Sequence, residues 1–344
     1  MKQMDFPYAI GTVKKSATFR MEGHWTWCGS CSRDEETGLY HLFASAWPKS
    51  VPFSPNWLTH SKVVRAVSES LDGPFIWQED LLLPRGQDFW DGYMTHNPTI
   101  HRHGEHWLLY YTGTRYPGSG PTASGPLFEP RSEIHLQSRA NQRIGLAVAT
   151  SPDGPWERAD HPILEPRPGK WDELMTTNPA PVIHDDGSVL LYYKSCSSHD
   201  SPIRYGIAKA DHWKGPYHAL LDQPIQWNEE DTAYEDATVW RENGLYHMLF
   251  KDMGNSLTGE HHAGCYATSK DGLNWDLQGK GYSRVLNWDD GSSSTQGSLE
   301  RPQVFLQDGK PIRLFCATAD GPGGFSNADQ TWTQILPLVP NNPS

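Results

Sequence analysis

The segment Trp90-Asp91-Gly92-Tyr93-Met94-Thr95-His96-Asn97-Pro98 occurs a second time, with changes, as Trp171-Asp172-Glu173-Leu174-Met175-Thr176-Thr177-Asn178-Pro179. Each copy leads into an apolar stretch, a glycine turn and an aromatic-rich stretch, HWLLYYTG from His106 and VLLYYKS from Val189. Alternating apolar residues on both sides of a glycine turn predict a β-hairpin. The two copies therefore indicate a repeated β unit.

Three looser copies extend the repeat along the chain. In each, a polar residue opens a short apolar stretch, followed by a glycine turn and a second strand. The polar residues are Ser30, Asp236 and Arg301, and the second strands read LYHLFAS, LYHMLFK and PIRLFCA. A second signature follows four of the five units, as Asp72-Gly73-Pro74-Phe75, Asp153-Gly154-Pro155-Trp156, Lys214-Gly215-Pro216-Tyr217 and Asp271-Gly272-Leu273-Asn274-Trp275. Glycine and proline favour a tight turn, which we assign between the third and fourth strands of each unit.

Five units of about four strands predict an all-β fold, a five-bladed β-propeller with four-stranded antiparallel blades. The fifth unit lacks the turn signature and has its last strand at Thr331. A strand near residues 10–20 is therefore expected to complete that blade and close the ring. Little 3.6-residue periodicity is present, so few helices are expected. Because no Pro/Gly linker divides the chain, residues 1–344 are predicted to form a single domain.

Composition excludes several classes of partner. The chain has 344 residues and a net charge of −12, which argues against nucleic acid and anionic membranes as partners. It has no apolar run long enough to span a membrane and no signal peptide. We expect a cytoplasmic location, or a periplasmic or secreted one if a signal has been removed. Five cysteines at irregular spacing do not predict a disulfide framework, and the pair Cys28 and Cys31 is interpreted as coincidental.

Blade topology predicts which face carries function. The starts of the first strands and the loops between second and third strands share one face, and the Gly-Pro turns lie on the other. The loops on the first face are longer and more polar, and the segment 114–142 is long enough to form a lid over a site. The first strands converge on the axis, where they bring Ser30, His96, Asn97, Asn178, Glu235, Asp236, Glu300 and Arg301 together, with Trp27 and Trp90 just upstream. Aromatic rings with amide, carboxylate and cationic groups suit the binding of sugars.

The turn signature and the repeated inner-strand pattern make the chain resemble the five-bladed propeller glycosidases, namely glycoside hydrolase family 43 and its relatives in families 32, 62 and 117. This resemblance covers nearly the whole chain. In family 43 it implies an Asp base in blade one, an Asp that tunes the acid in blade two, and a Glu acid in blade three. Here those positions read Ser30, Asn97 and Asn178.

Catalytic carboxylates are therefore expected elsewhere. We predict Asp236 and Asp91 first, then Glu235 and Glu300, since hydrolysis needs two groups that flank the scissile bond. Glu235 and Asp236 can both face the pocket only at a bulge, because neighbouring strand residues point to opposite sides. Each residue has a structural alternative: Asp91 and Asp172 could fix a turn, Glu300 could hold Arg301, and the two asparagines could bind backbone.

The predicted substrate-binding residues are His96, Asn97, Asn178, Arg301, Ser30, Trp27, Trp90, Lys194 and Lys251. Lys194, Lys251 and Arg301 could bind a carboxylate or sulfate on the sugar. His261 and His262 could serve as metal ligands, but no complementary spacing completes a site. We therefore predict no metal and no cofactor.

Three functions remain open at this stage. The first is a glycoside hydrolase that acts at the end of an oligosaccharide or polysaccharide chain, on an acidic or modified sugar, by general acid/base catalysis in the central pocket. The alternatives are a non-catalytic carbohydrate-binding propeller, motivated by the missing family 43 carboxylates, and a phosphorylase or lyase, motivated by the basic residues. The oligomeric state is left open.

Overall fold

The computed structural model describes residues 5–116, 129–227 and 233–341. Its described strands form five antiparallel sheets of four or five strands and one separate two-stranded hairpin. The innermost strand of each of the five larger sheets contacts the innermost strands of its two neighbours. The sheets are thus blades around a central axis, which confirms the predicted five-bladed propeller. No helix within the described ranges has the length and apolar character needed to cross a membrane.

The elements follow one another in chain order. Two short strands come first, β1 (Tyr8–Ile10) and β2 (Thr18–Phe19). Blade 1 contains β3 (His24–Arg33), β4 (Tyr40–Pro48), helix α1 (Trp57–His60), β5 (Lys62–Ser68) and β6 (Ile76–Leu82). Blade 2 contains β7 (Met94–His103), β8 (His106–Thr114), helix α2 (Glu133–Ala140), β9 (Arg143–Ala149) and β10 (Glu157–Arg158).

The remaining blades repeat this order. Blade 3 contains β11 (Thr177–Ile183), β12 (Val189–Ser195), β13 (Arg204–Ala210) and β14 (His218–Ala219). Blade 4 contains β15 (Tyr234–Glu242), β16 (Leu245–Asp252), β17 (Gly264–Ser269) and β18 (Trp275–Tyr282). A hairpin of β19 (Val285–Asn287) and β20 (Ser293–Thr295) leads to β21 (Ser298–Gln307), β22 (Lys310–Ala319), a 3₁₀ turn (Gly324–Asn327) and β23 (Thr331–Pro340) of blade 5.

Blade 5 is completed by the N-terminal part of the chain. Strand β1 pairs with β23 in antiparallel fashion, with Ala9 opposite Val339, and β2 pairs with the start of the same strand, with Thr18 opposite Gln334. The predicted closing strand is therefore present, although β1 begins slightly before residue 10. The strand that starts at Thr331 is the third of its blade, and the N-terminal strands take the outer position.

The Gly-Pro turns join the third and fourth strands, as predicted. Gly154 and Gly215 have φ values of 91° and 90°, a region that only glycine adopts without strain. The aromatic residue after each turn packs against the second strand of the preceding blade rather than on its own outer strand. The ring pairs are Phe75 with Phe315, Trp156 with Phe43, Tyr217 with Tyr110, and Trp275 with Tyr192. The turn signature therefore joins neighbouring blades.

Candidate active site

Each inner strand contains a bulge at the same place, where its pairing with the second strand shifts register. One residue in every bulge has a positive φ, between 51° and 66°. We call these five residues the axial ring: Cys28, Asn97, Asn178, Asp236 and Arg301. A bulge reverses the usual alternation of side chains, so the residue before each ring position can also face the axis. This is the condition under which Glu235 and Asp236 could both belong to the site.

Blade 1 departs from the prediction made for it. Its ring residue is Cys28, and Ser30 lies two residues further along β3, where its Oγ accepts a hydrogen bond of 3.1 Å from the Ile100 N–H. The sequence-based alignment was wrong by two residues because blade 1 has no Asn-Pro pair to mark the bulge. Cys28 and Cys31 form no disulfide; both are free thiols.

A directed chain of hydrogen bonds links four ring residues. The Cys28 thiol donates to Asn97 Oδ1 at 2.8 Å, Asn97 Nδ2 donates to Asn178 Oδ1 at 2.6 Å, and Asn178 Nδ2 donates to Asp236 Oδ1 at 2.9 Å. Arg301 Nη1 lies 3.6 Å from the same Asp236 oxygen. Because an ionised carboxylate only accepts, it sets the orientation of both amides in the chain. The ring therefore fixes Asp236 from two sides.

Three carboxylates and two lysines meet beside the ring. One oxygen from each of Glu235, Asp236 and Glu300 lies within 4.8 Å of the others. Lys194 Nζ is 2.8 Å from Glu235, and Lys251 Nζ is 2.8 Å from Glu300 and 3.5 Å from Glu235. The carboxylates are close enough together to hold a cation, but the two ammonium groups already occupy that electrostatic role. We therefore assign no metal to them.

The pKa values of the two adjacent acids of blade 4, Glu235 and Asp236, are shifted in opposite directions. Burial, reinforced by the charge of Glu235, raises the pKa of Asp236 to about 6, against the opposing effect of Arg301. Burial would also raise the pKa of Glu235, but the charges of Lys194 and Lys251 outweigh it and hold that pKa below its ordinary value. Asp236 thus keeps its proton up to about pH 6, a range in which its neighbour is already ionised. Such a divided pair is what general acid catalysis requires.

His96 is neutral and oriented by its neighbours. Its Nδ1 is 2.7 Å from Ser61 Oγ, which also lies 3.1 Å from the Thr95 carbonyl oxygen, so the imidazole is held in one orientation. Burial first, and then the charges of Arg301 and Lys194, keeps the pKa of His96 well below its usual range. The Trp57 ring stacks on the imidazole with centroids 4.8 Å apart.

An aromatic cluster lies on the side of blades 1 and 5. Trp27 contacts Phe53 and Phe325 edge-on, with ring centroids 5.0 and 6.1 Å apart. Phe53 comes from the loop between β4 and β5, and Phe325 from the loop between β22 and β23. Trp27 thus lies among aromatic rings and directly precedes Cys28 of the axial ring. The sequence analysis did not identify Phe53, Phe325 or Trp57 as candidate site residues.

Asp91 and Trp90 occupy a different environment from the one predicted. Asp91 is fully buried; its carboxylate pairs with Arg85 at 2.7 Å and Arg158 at 3.2 Å and accepts from the Tyr111 hydroxyl at 2.8 Å. Trp90 stacks on Tyr111. Within the described ranges, none of the polar partners of Asp91 belongs to the axial ring. The prediction that Asp91 and Trp90 line the pocket is therefore wrong, because both anchor the start of blade 2 to its own strands.

Blade 3 repeats this anchor. Asp172 accepts from Arg167 at 2.9 Å and from the Tyr193 hydroxyl at 2.6 Å, and Trp171 stacks on Tyr193. The repetition of the same arrangement in two blades supports a structural role. The Trp-Asp part of the repeat is thus a folding motif, and only its Asn-Pro part reaches the axis.

The opposite end of the axis is open. A cavity of about 1070 Å³ lies between the far ends of the inner strands of all five blades. Ser30, Thr238 and Gln303 line it, together with apolar residues such as Val182 and Val239. The axial ring separates this cavity from the charged group of Glu235, Glu300, Lys194 and Lys251. The two ends of the axis are therefore chemically different.

His261 and His262, considered above as metal ligands, stack on each other with ring centroids 3.8 Å apart. Among the described residues, Glu235, Asp236 and Glu300 lie close enough together to hold a metal ion, and neither histidine belongs to that set. Burial, and then the charge of Lys251, lowers the pKa of His262 to about 4.

No protein-family model matches the sequence, and no curated protein is found to be related to it. Solved structures do match the fold. Zg3597, a family 117 glycoside hydrolase from the marine bacterium Zobellia galactanivorans, has a TM-score of 0.65 and 16% identity, covering 98% of this chain and 91% of that chain.

Two further structures give a similar result. An endo-arabinase from Bacteroides thetaiotaomicron VPI-5482 has a TM-score of 0.58 and 15% identity, covering 98% of this chain and 99% of that chain. The GH43_1 enzyme from Xanthomonas citri, complexed with xylose, has a TM-score of 0.58 and 15% identity, covering 94% and 89%. At these identities the likeness establishes the fold, which is that of the five-bladed propeller glycoside hydrolases, as the sequence resemblance implied.

Proposed function

We propose that this protein is a glycoside hydrolase that removes a sugar from the end of a carbohydrate chain, with Asp236 as its general acid. The observation that carries the proposal is the pairing of Asp236, whose pKa is raised to about 6, with an ionised Glu235 in the same bulge. The fold shared with glycoside hydrolases supports the same function.

The site suits proton donation to a glycosidic oxygen. Asp236 Oδ1 is held by Asn178 and Arg301, so the carboxyl group is oriented by the ring. A protonated acid near the scissile bond stabilises the departing sugar hydroxyl. Glu235 and Glu300 are the candidates for the second carboxylate. Their oxygens lie within 4.8 Å of the other acids, which is nearer to the ~5 Å of retaining enzymes than to the ~6.5–9.5 Å of inverting ones.

Two features support action at a chain end. The axial ring is a hydrogen-bonded floor that includes Asp236, and Asp236 is only 3% exposed. A chain end can enter a deep, closed site, whereas the middle of a chain needs an open groove. Lys194, Lys251 and Arg301 support an acidic or modified sugar as the substrate.

The proposal is tested by incubating the wild-type protein and Asp236→Asn with a panel of oligosaccharides and identifying the products by chromatography. We expect wild type to release a monosaccharide and the variant to be slower by about 10²–10⁴-fold, the usual contribution of a general acid. NMR of the first-formed anomer gives the stereochemistry, for which we expect retention. Full activity of Asp236→Asn would refute the assigned role.

The alternatives give different results in the same experiment. A carbohydrate-binding propeller would bind glycans in calorimetry without producing any sugar. A phosphorylase would require phosphate and yield a sugar phosphate, and a lyase would yield an unsaturated product that absorbs in the ultraviolet. Any of these outcomes would replace the hydrolase proposal.

A further inference from the structure

A second ring of buried side chains follows the axial ring, on the side of the open cavity. In each inner strand, regular pairing with the second strand resumes two positions after the axial-ring residue. We call the residues at these five equivalent positions the second ring: Ser30, Thr99, Ala180, Thr238 and Gln303. All five are buried, and four of them carry a hydroxyl or an amide group. The second ring is therefore polar but carries no charge.

Hydrogen bonds show that side chains of the second ring meet at the axis. Thr99 Oγ1 donates to Gln303 Oε1 at 2.9 Å. Thr99 belongs to blade 2 and Gln303 to blade 5, and blade 1 lies between these two blades. Because the blades are not neighbours, the two side chains can meet only inside the circle of inner strands. Ser30, Thr238 and Gln303 also line the open cavity, so the second ring forms the inner end of that cavity.

The amide group of Gln303 is only half satisfied. Its Oε1 accepts from Thr99, but its Nε2 is shielded from solvent and has no hydrogen-bond partner among the described residues. A buried donor without a partner is unfavourable, and such groups are rare in folded proteins. The last torsion of a glutamine side chain rotates easily, so a ligand in the cavity can become the partner that Nε2 lacks.

The inner part of the cavity combines neutral polar groups with apolar walls. Its walls include Val182, Val239 and Val304, close in sequence to the second ring. Burial lowers the pKa of His101, which also lines the cavity, to about 4, so this imidazole is neutral at physiological pH. The charged residues of the lining, such as Arg102, lie three or more positions beyond the second ring, towards the mouth of the cavity. The inner part therefore suits an uncharged ligand.

We infer that this cavity is a second carbohydrate site, which binds a neutral sugar residue with its hydroxyl groups against the second ring. Ser30, Thr238 and Gln303 come from three blades and surround one axis, so a ligand with hydroxyl groups distributed around a ring can bind several of them at once. A simple alcohol could bind only one. The C–H groups of the sugar would pack against the valine side chains. The axial ring separates this cavity from the charged group of Glu235 and Glu300, so the inference does not depend on hydrolase activity.

The inference is tested by NMR titration of the protein with D-glucose, D-galactose and D-xylose, and with 1-hexanol as a neutral ligand that has a single hydroxyl group. We expect at least one sugar to bind the wild-type protein. Gln303→Met should weaken that binding by about fivefold or more, the usual contribution of a hydrogen bond between neutral groups. Gln307→Met is the matched control, because it makes the same change at an exposed position on the same strand, and it should keep the full affinity. Asp236→Asn should also keep it.

Several results would overturn the inference: no binding of any of the three sugars, binding of 1-hexanol as tight as that of the sugars, or full affinity in Gln303→Met. A sugar that binds only at the charged end of the axis would lose affinity in Asp236→Asn and keep it in Gln303→Met, which would also overturn it. If Gln303→Met fails to fold, a crystal structure of the wild-type protein with the sugar decides. A sugar oxygen must then lie within hydrogen-bond distance of the Gln303 amide.

Discussion

Blades 2 and 3 and blades 4 and 5 carry the same backbone bulge but different chemistry. In blades 2 and 3 the ring residues are Asn97 and Asn178, which follow nearly identical sequences. In blades 4 and 5 they are Asp236 and Arg301, preceded by Glu235 and Glu300. The backbone geometry is shared, with φ near 50–66° in every case. The repeat therefore maintains a scaffold, and the chemistry lies where the repeated sequence has diverged most.

This difference explains why the most regular motif misleads. The Trp-Asp segment of blades 2 and 3 is conspicuous because two copies match, and both copies perform the same anchoring task. Residues that take part in catalysis need not occur twice, because a site needs one acid in one place. In a propeller of this kind, the divergent blade is the better guide to function.

The largest loss of stability is expected from a substitution in blades 4 and 5, whose ring residues are charged. Lys251 is 1% exposed and pairs with Glu300 and Glu235, so Lys251→Met removes the counter-charge of buried Glu300 and leaves Glu235 with Lys194 alone. We expect a loss of about 3–5 kcal/mol in the free energy of unfolding, measured by urea denaturation. The control is Lys280→Met, whose half-exposed ion pair with Glu260 should contribute no more than about 1 kcal/mol. Equal losses in the two variants would contradict a stabilising network in blades 4 and 5.

A smaller loss of stability is expected from a substitution in blades 2 and 3, whose ring residues are asparagines. Asn97→Ala removes the hydrogen bonds to Cys28 and Asn178 and places alanine at a φ of 51°. We expect a loss of about 2–3 kcal/mol in unfolding free energy. Asn97→Gly loses the same hydrogen bonds but tolerates that φ, so thermal unfolding should show it to be more stable than Asn97→Ala by about 1 kcal/mol. A glycine variant less stable than the alanine variant would show that the backbone conformation is not a source of strain.

The smallest effect is a dependence of stability and activity on pH, which arises from Asp236 in blade 4. The pKa of Asp236 is raised to about 6 in the folded protein, so the proton is bound more tightly there than in the unfolded chain. Stability from this group is therefore full at low pH and is lost as pH rises through about 6. The rate kcat/KM should fall by about tenfold for each pH unit above 6, since the acid must be protonated. A rate that is constant between pH 6 and 8 would exclude Asp236 as the acid.

Much of the fold could be predicted from sequence alone. The Gly-Pro turns and the alternating strands are local signals, because each depends on backbone preferences within a few residues. Their ordered repetition was enough to predict five blades and the closing strand of blade 5. The contact of each turn aromatic with the preceding blade could not be predicted, because it leaves no trace in the local sequence.

The site was predicted less completely. Glu235, Asp236, Glu300, Arg301, Lys194 and Lys251 do come together, as their positions at strand ends suggested. Ser30 was chosen in place of Cys28 because only the three-dimensional pairing reveals where the bulge of blade 1 falls. Phe53 and Phe325 were missed because they lie in loops, whose positions follow from contacts such as those of both rings with Trp27.

The pairing of β1 with β23 also determines when blade 5 can be completed during synthesis of the chain. Residues Tyr8–Ile10 are synthesised before blades 1 to 4, whereas their partners Leu338–Pro340 are synthesised after them. Blades 1 to 4 can form in sequence from neighbouring hairpins, but Arg301 can meet Asp236 only after blade 5 has been synthesised. A site that depends on this contact is therefore assembled only after blade 5 has been synthesised, and a nascent chain that ends before blade 5 lacks the contact that holds Asp236.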